Sequence, residues 1–233
     1  AVFSVNLKRT LACSSVSQIG FIMTGIGMSC LLSWAGEGNL LAVRGAFLHM
    51  VNHSLIKLVL FLCAGAVFMN LHQLELNDVR GFGRGKPALC FCFLMGALGI
   101  GGIPLWNGYV SKTLIHESIV EYANLLREGT LTGTEGLGGV PAGLVPVLTN
   151  PEVWRNAEWV FLFTGGMTVA YMLKLFVALF VDRHPKRQAE FDQMSSRYMT
   201  PLSRAVLVGA AAILPVLGMV PYMTMNRIGD MGQ

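Results

Sequence analysis

The chain has 233 residues, of which 53% are hydrophobic and 13% charged, with 27 glycines and a formal net charge of +4; its mean hydropathy is +0.56. A typical soluble protein carries about 25% charged residues and about 7% glycine, so ordinary soluble enzymes, disordered chains and collagen-like repeats fit poorly. The composition implies an all-α, polytopic transmembrane helix bundle with the lipid bilayer as its surroundings, because such bundles are apolar all round and use glycine at close helix contacts.

A bilayer core about 30 Å thick takes about 20 apolar helical residues to cross. In chain order the candidate spans are 11–35, 40–71, 88–122, 159–181 and 204–223, within a single transmembrane domain covering 1–233. The first opens on a polar turn of Ser14, Ser15, Ser17 and Gln18, and the last carries Pro215 and Pro221. Trp159, Tyr198 and Tyr222 fall near span ends, where interfacial aromatics are expected. The second and third segments are too long for simple spans at about 1.5 Å per residue. The third contains a breaker, Gly99-Ile100-Gly101-Gly102-Ile103-Pro104, with Gly108 close behind. Proline removes a backbone donor and clashes with the preceding turn. A discontinuous helix near 99–108 is expected, of the kind transporters place at ion sites; a kink that only adjusts packing is the alternative. The segment from Asn124 to Glu158, with Gly129, Gly133, Gly136, Gly138, Gly139, Gly143, Pro141, Pro146 and Pro151, is expected to be extended and irregular. It has no phosphate-binding pattern, and the stretch Gly81 to Pro87 reads as a basic turn.

Five spans sort 14 of the 17 basic residues by side, with Lys57, Lys112 and Lys174 lying within spans. Lys8, Arg9, Arg80, Arg84, Lys86, Arg183, Lys186, Arg187, Arg197 and Arg204 fall on one side; Arg44, Arg127, Arg155 and Arg227 fall on the other. Basic residues favour the cytoplasm, so the first residues are expected there, and no stripe of charge suggests nucleic acid. The cysteines (13, 30, 63, 90 and 92) lie in apolar stretches without CxxC spacing and read as small packing residues. The chain starts at Ala1 with no visible signal peptide, which suggests an internal segment of a longer protein.

His49, His53 and Lys57 are spaced i, i+4, i+8 and share one helix face, flanked by Asn52 and Ser54. A lysine midway along an apolar helix costs about 2.5–3.5 kcal/mol on insertion scales, and such groups typically mark proton relays or ion paths. Two charges about 8 Å apart at an effective dielectric near 20 interact by roughly 2 kcal/mol, enough to drive a proton from one site to the next. Histidine is suited to shuttling. Structural polar packing is the bland alternative; a metal site on His49 and His53 lacks an HExxH glutamate or a third ligand. Lys112 follows the break, with His116 one turn later and Glu117 beside it; Lys112 either exchanges protons with water or snorkels to the interface. Lys174 has the same two readings, and Lys8 is either an interfacial anchor or the cytoplasmic end of the path.

These residues carry a resemblance. The run Asn6-Leu7-Lys8-Arg9-Thr10-Leu11-Ala12-Cys13-Ser14-Ser15-Val16-Ser17-Gln18-Ile19-Gly20 resembles the LKRxLAYSSxxQxG element of the antiporter-like subunits of respiratory complex I. The pattern His49-xxx-His53-xxx-Lys57-xx-Leu60-Phe61 with Gly65 resembles their HxxxHxxxKxxLFxxxG helix. Gly102-Ile103-Pro104 followed by Asn107-Gly108-Tyr109-Val110-Ser111-Lys112 resembles their broken helix with its lysine, and Thr168 to Lys174 is similar to a later element that often ends in Arg. The resemblance runs in order over about residues 6–182. It extends to complex I subunit 5 and to kin in membrane-bound hydrogenases and multisubunit cation/proton antiporters.

The resemblance implies a proton-translocating, non-catalytic membrane subunit of a complex I-like NADH:quinone oxidoreductase or related hydrogenase, sited in a bacterial plasma membrane beside other membrane subunits. It implies a proton relay through Lys57, His53, His49, Lys112, His116, Lys174 and Lys8. A subunit of a Na⁺/H⁺ antiporter and a non-conducting scaffold are the alternatives. Family members carry two inverted five-helix repeats, each with a half-channel; this chain resembles the second, as a C-terminal half. The first, with its key glutamate and its own broken-helix lysine, has no counterpart here. Cys13 replaces the usual tyrosine, and no glutamate is expected at the middle of a span to pair with Lys57. No cofactor is expected, since no ligand set for flavin, haem or iron–sulfur is visible.

Overall fold

A computed structural model describes residues 1–34, 40–129, 140–196 and 198–220. Pro221, Tyr222, Arg197, Arg227 and the glycines at 133, 136, 138 and 139, all invoked above, lie outside the described residues.

Helix α1 (Leu7–Trp34) starts on Asn6, whose side-chain oxygen accepts the Arg9 amide at 3.0 Å. Such an oxygen satisfies one of the donors that a helix start leaves unpaired. Helix α2 (Leu41–Leu71) stops at His72, which turns left-handed at φ 51° and donates its amide to the Phe68 carbonyl. The short α3 (Leu76–Val79) leads into α4 (Pro87–Gly101), with proline at its first position, where the missing amide has no helical partner to lose. Helix α5 (Asn107–Arg127) follows the break, and the single turn α6 (Val145–Leu148) precedes α7 (Pro151–Phe176). Asn150 caps α7 by accepting the Glu152 amide at 2.9 Å. A π-helical turn (Val177–Val181) continues it, followed by α8 (Gln188–Gln193), a 3₁₀ turn (Met194–Ser196) and α9 (Pro201–Met219), capped by Thr200. Among the described residues there is no strand beyond one isolated bridge, Asn6 to Glu75.

The expected discontinuous helix is present. Helix α4 ends at Gly101, Gly102 turns left-handed at φ 76°, and α5 begins at Asn107. The close pass of the two halves demands glycine at 108: a Cβ there would sit 1.9 Å from the Gly99 carbonyl oxygen. Gly218 of α9 is equally constrained, because a Cβ would lie 2.4 Å from the Leu105 carbonyl oxygen. The second segment, by contrast, is one unbroken helix of 31 residues. The described part of the region from 124 to 158 is more helical than its glycine and proline content suggests. It includes the end of α5, α6 and the first turns of α7, which starts at Pro151 rather than 159 because Asn150-Pro151 forms a strong helix start.

The bundle centres on α1, α2 and α5; α4, α7 and α9 pack around the other side of the break. The N-terminal segment, the 72–87 connection and residues 178–196 meet at one end, called here the N-terminal face: Leu7 donates to the Leu74 carbonyl and Gly81 to that of Ala178, each at 2.8 Å. At the opposite face, Trp154 Nε1 donates to the Leu148 carbonyl at 2.8 Å. Large apolar side chains cover the outside, among them Val16, Met23, Met69, Trp159, Phe163, Leu202 and Val206. Water would not sustain such a surface on a soluble monomer. α1, α2, α9 and α7 with its π-helical turn are each long and apolar enough to cross a membrane, and α4 is a shorter apolar helix ahead of the break.

The interior is layered. One apolar core, including Leu11, Leu60, Phe93 and Leu175, fills the half toward the N-terminal face. A smaller one, of Met28, Leu32, Ala42, Ile119 and Tyr122, fills the opposite half. Between and around them lie the buried polar residues Ser14, Gln18, His49, Asn52, Lys57, Asn107, Ser111 and Lys112.

Candidate functional site

Helices α1, α2 and α5 bring this polar layer together. Lys57 is only 6% exposed. Its ammonium donates to the Leu11 carbonyl at 2.6 Å and to Ser14 Oγ, which in turn donates to the same carbonyl. A buried ammonium needs such acceptors, since an unpaired charge in low dielectric is far more costly than a hydrogen-bonded one. One turn along α2, His53 is half-buried, and its Nε2 has no hydrogen-bond partner.

His49, 3% exposed, bridges two helices: Nδ1 lies 2.9 Å from Ser111 Oγ and Nε2 lies 3.1 Å from Gln18 Oε1. Ser111 Oγ donates to the Gly108 carbonyl at 3.2 Å, so it accepts from His49. With Oε1 facing it, Nε2 must also donate, which describes an imidazolium. Gln18 Nε2 has no partner. A half-turn of that amide would point its N–H at His49 Nε2 and suit the neutral ring equally well. Gln18 can therefore serve either protonation state of His49. Both His49 nitrogens are engaged, which leaves no lone pair for a metal, and among the described residues no cluster of three potential ligands occurs.

Asn52 and Asn107 clamp the start of α5. Asn52 Nδ2 donates to the Asn107 carbonyl at 2.8 Å, and Asn107 Nδ2 donates to Asn52 Oδ1 at 3.0 Å. Lys112, 8% exposed, reaches back across the break and donates to the Ile100 carbonyl at 2.7 Å. That carbonyl belongs to the last turn of α4, where helix carbonyls lack partners and the helix dipole is negative. The Phe21 ring covers the same ammonium at 4.9 Å.

Tyr171 of α7 lies beside Ser14, Gln18 and Thr168, and its buried hydroxyl is unpartnered. With Gln18 Nε2, His53 Nε2 and Asn107 Oδ1 it makes four buried polar atoms without a protein partner in one layer. Buried polar atoms are almost always satisfied by protein or ordered water.

The remaining expected residues stand apart. His116 is one turn beyond Lys112 and pairs with Glu158 of α7 at 3.1 Å. Lys174 is tied to the N-terminal segment, donating to the Val2 and Ser4 carbonyls at 2.6 Å each. Lys8 is exposed and lines a groove with Arg9 and Glu75 at the N-terminal face. Sequence reasoning passed over Gln18, Ser14, Ser111, Tyr171 and Glu158. The spacing of Ser14 and Gln18 at i, i+4 on an apolar helix was a usable signal; Glu158 was hidden by the late start assigned to its span. Lys86, taken for a loop charge, is 1% exposed. It donates to the Phe82 carbonyl at 2.7 Å and the Phe191 carbonyl at 2.9 Å, with the Phe82 ring 4.2 Å away. Burial pushes its ammonium down to about 8, against the opposing pull of Asp192.

Residues 1–133 match the family described as NADH:quinone oxidoreductase/Mrp antiporter, TM. The chain is 27% identical over 220 residues to formate hydrogenlyase subunit 3 of Escherichia coli (strain K12), covering 94% of this chain and 32% of that protein. It is 27% identical over 219 residues to NAD(P)H-quinone oxidoreductase chain 4 2 of Synechococcus sp. (strain JA-2-3B'a(2-13)), covering 93% of this chain and 34% of the relative. To NADH-ubiquinone oxidoreductase chain 5 of Wickerhamomyces canadensis it is 36% identical over 123 residues, 52% of this chain and 17% of the relative. The chain thus spans between about a sixth and a third of the length of these relatives. The match over more than half of its residues, on a bundle covered in apolar side chains, makes the chain an integral membrane protein belonging to the NADH:quinone oxidoreductase/Mrp antiporter transmembrane family.

Proposed function

We propose that this chain forms a proton half-channel of a membrane subunit in a complex I-like quinone oxidoreductase or a related hydrogenase complex, acting as one transmembrane unit. Lys57 holds a proton at mid-membrane, His53 and His49 relay it, Lys112 receives it, and His116 leads toward the opposite face. Lys8 and Lys174 serve the N-terminal face, which is the cytoplasmic side by its excess of basic residues, in a bacterial plasma membrane. The driving reaction belongs to partner subunits.

One observation carries this reading: two buried lysines and a buried histidine share a layer with partner-free polar atoms, between two apolar cores. Leaving such an atom without a partner costs about 1–3 kcal/mol. The test is Lys57→Ala in the assembled complex reconstituted into vesicles. Proton pumping driven by the redox reaction should drop at least tenfold; undiminished pumping rejects the relay.

The family description also names the Mrp antiporter. That supports a second reading, a cation/proton antiporter subunit without redox drive. Sodium-dependent proton flux in the absence of electron transfer would select it.

A further inference from the structure

We infer that Glu158, held by His116, is the proton-releasing carboxylate at the opposite face, and that the Phe21–Phe161 ring pair is a dry gate separating it from Lys112. This rests on the relay reading above.

The contacts form an unbroken series. The Phe21 ring, 4% exposed on α1, covers the Lys112 ammonium at 4.9 Å and meets the His49 ring edge-on at 5.9 Å. Phe161 of α7 packs edge-on against Phe21 at 4.7 Å. Its other side faces the His116 ring at 6.0 Å. Beyond it, His116 Nε2 lies 3.1 Å from Glu158 Oε1, and His116 Nδ1 lies 3.7 Å from Glu117 Oε1. His116 and Glu158 are part-exposed, with side chains at 22% and 31%, whereas Lys112 and His49 are buried. The Lys112 ammonium and the His116 ring are thus each in contact with this ring pair, Lys112 through Phe21 and His116 through Phe161.

Rings of this kind neither donate nor accept a conventional hydrogen bond that could carry a proton along. A constriction lined by apolar side chains excludes water until it widens, and so conducts only when wetted. The ring face also interacts favourably with the ammonium it covers. When the rings part and water enters, an N–H bond of the Lys112 ammonium breaks and an O–H bond forms on the Glu158 carboxylate, leaving a neutral amine and a neutral acid. Glu158 then loses that proton to solvent water at the opposite face and regains its charge. Glu117 lies on the other side of His116, its Oε1 3.7 Å from Nδ1.

The experiment uses the assembled complex with its full-length chain in vesicles. Passive proton flux is measured without redox substrate, under a potassium–valinomycin diffusion potential. Phe161→Ser should raise this leak at least fivefold. Phe163→Ser, on the outward face of the same helix and 68% exposed, is the control and should stay at the wild-type level. Glu158→Gln, nearly the same size, should lower driven pumping at least tenfold with assembly unchanged, and Glu158→Asp should recover part of it. A Phe161→Ser leak equal to that of the control overturns the gate. Full pumping by Glu158→Gln overturns the release role, and this variant alone decides the inference if Phe161→Ser does not assemble. The relay reading fails separately, through full pumping by Lys57→Ala.

Discussion

Lys112 donates to the Ile100 carbonyl at 2.7 Å across the break that separates α4 from α5. One bond therefore joins the ionisable group of α5 to the unpaired end of α4. In the proposed relay, transport and architecture meet at this point, and the two contributions separate in a variant. Lys112→Met removes a buried charge, which costs about 2.5–3.5 kcal/mol to hold at mid-membrane on insertion scales. It also orphans a carbonyl, at about 1–3 kcal/mol. These effects oppose each other. Thermal stability of the assembled complex should change little, while driven proton transport should fall at least tenfold. A parallel loss of both would make Lys112 a structural tie only.

Gln18 can face either protonation state of His49 by turning its amide. Gln18→Leu keeps the volume and removes that capacity. Pumping should fall about tenfold, in line with the loss of one positioned proton-transfer partner. Gln18→Glu, which retains an acceptor, should hold His49 in its charged form and also slow transport. Rates measured across pH in vesicles check this: a wild-type rate in both variants would remove Gln18 from the path.

The break depends on the absence of two side chains. A Cβ at position 108 would lie 1.9 Å from the Gly99 carbonyl oxygen, and one at 218 would lie 2.4 Å from that of Leu105. Backbone cannot yield as a flexible side chain can. Gly108→Ala and Gly218→Val should each sharply reduce the amount of assembled complex in membranes. Gly165→Ala, where a Cβ meets nothing within 4 Å, should leave that amount unchanged in the same immunoblot.

Lys86 gives a pH dependence outside the membrane. Its ammonium sits at about 8 in the fold against an ordinary 10.5, because burial disfavours the charged form. Between those values the unfolded chain binds more protons than the folded one, so this group raises stability as pH climbs from about 8 to about 10.5. Below about 8 its contribution is constant. Lys86→Met should remove this slope. The loss of the donor shared by the Phe82 and Phe191 carbonyls is opposed by the removal of a buried charge, so stability near pH 7 should change little. Melting temperatures of the two complexes from pH 7 to pH 10.5 provide the comparison.

The sequence by itself determined the apolar helices, the interruption after Gly101 and the buried lysines. Each of these is a local property: hydropathy over about 20 residues, a glycine–proline breaker, or a charge within an apolar run. The i, i+4, i+8 spacing of His49, His53 and Lys57 is likewise a statement about one helix. Only the tertiary structure decided what these groups face. Ser14 and Gln18 reach them from α1 and Ser111 from α5, while Tyr171 of α7 stands beside Ser14 and Gln18 and Glu158 of α7 meets His116. Partners on different helices are set by how the helices pack, and no periodicity within a single segment encodes that. The same reason separates Lys86 from the other loop lysines: its burial comes from α8 closing over the connection between α3 and α4.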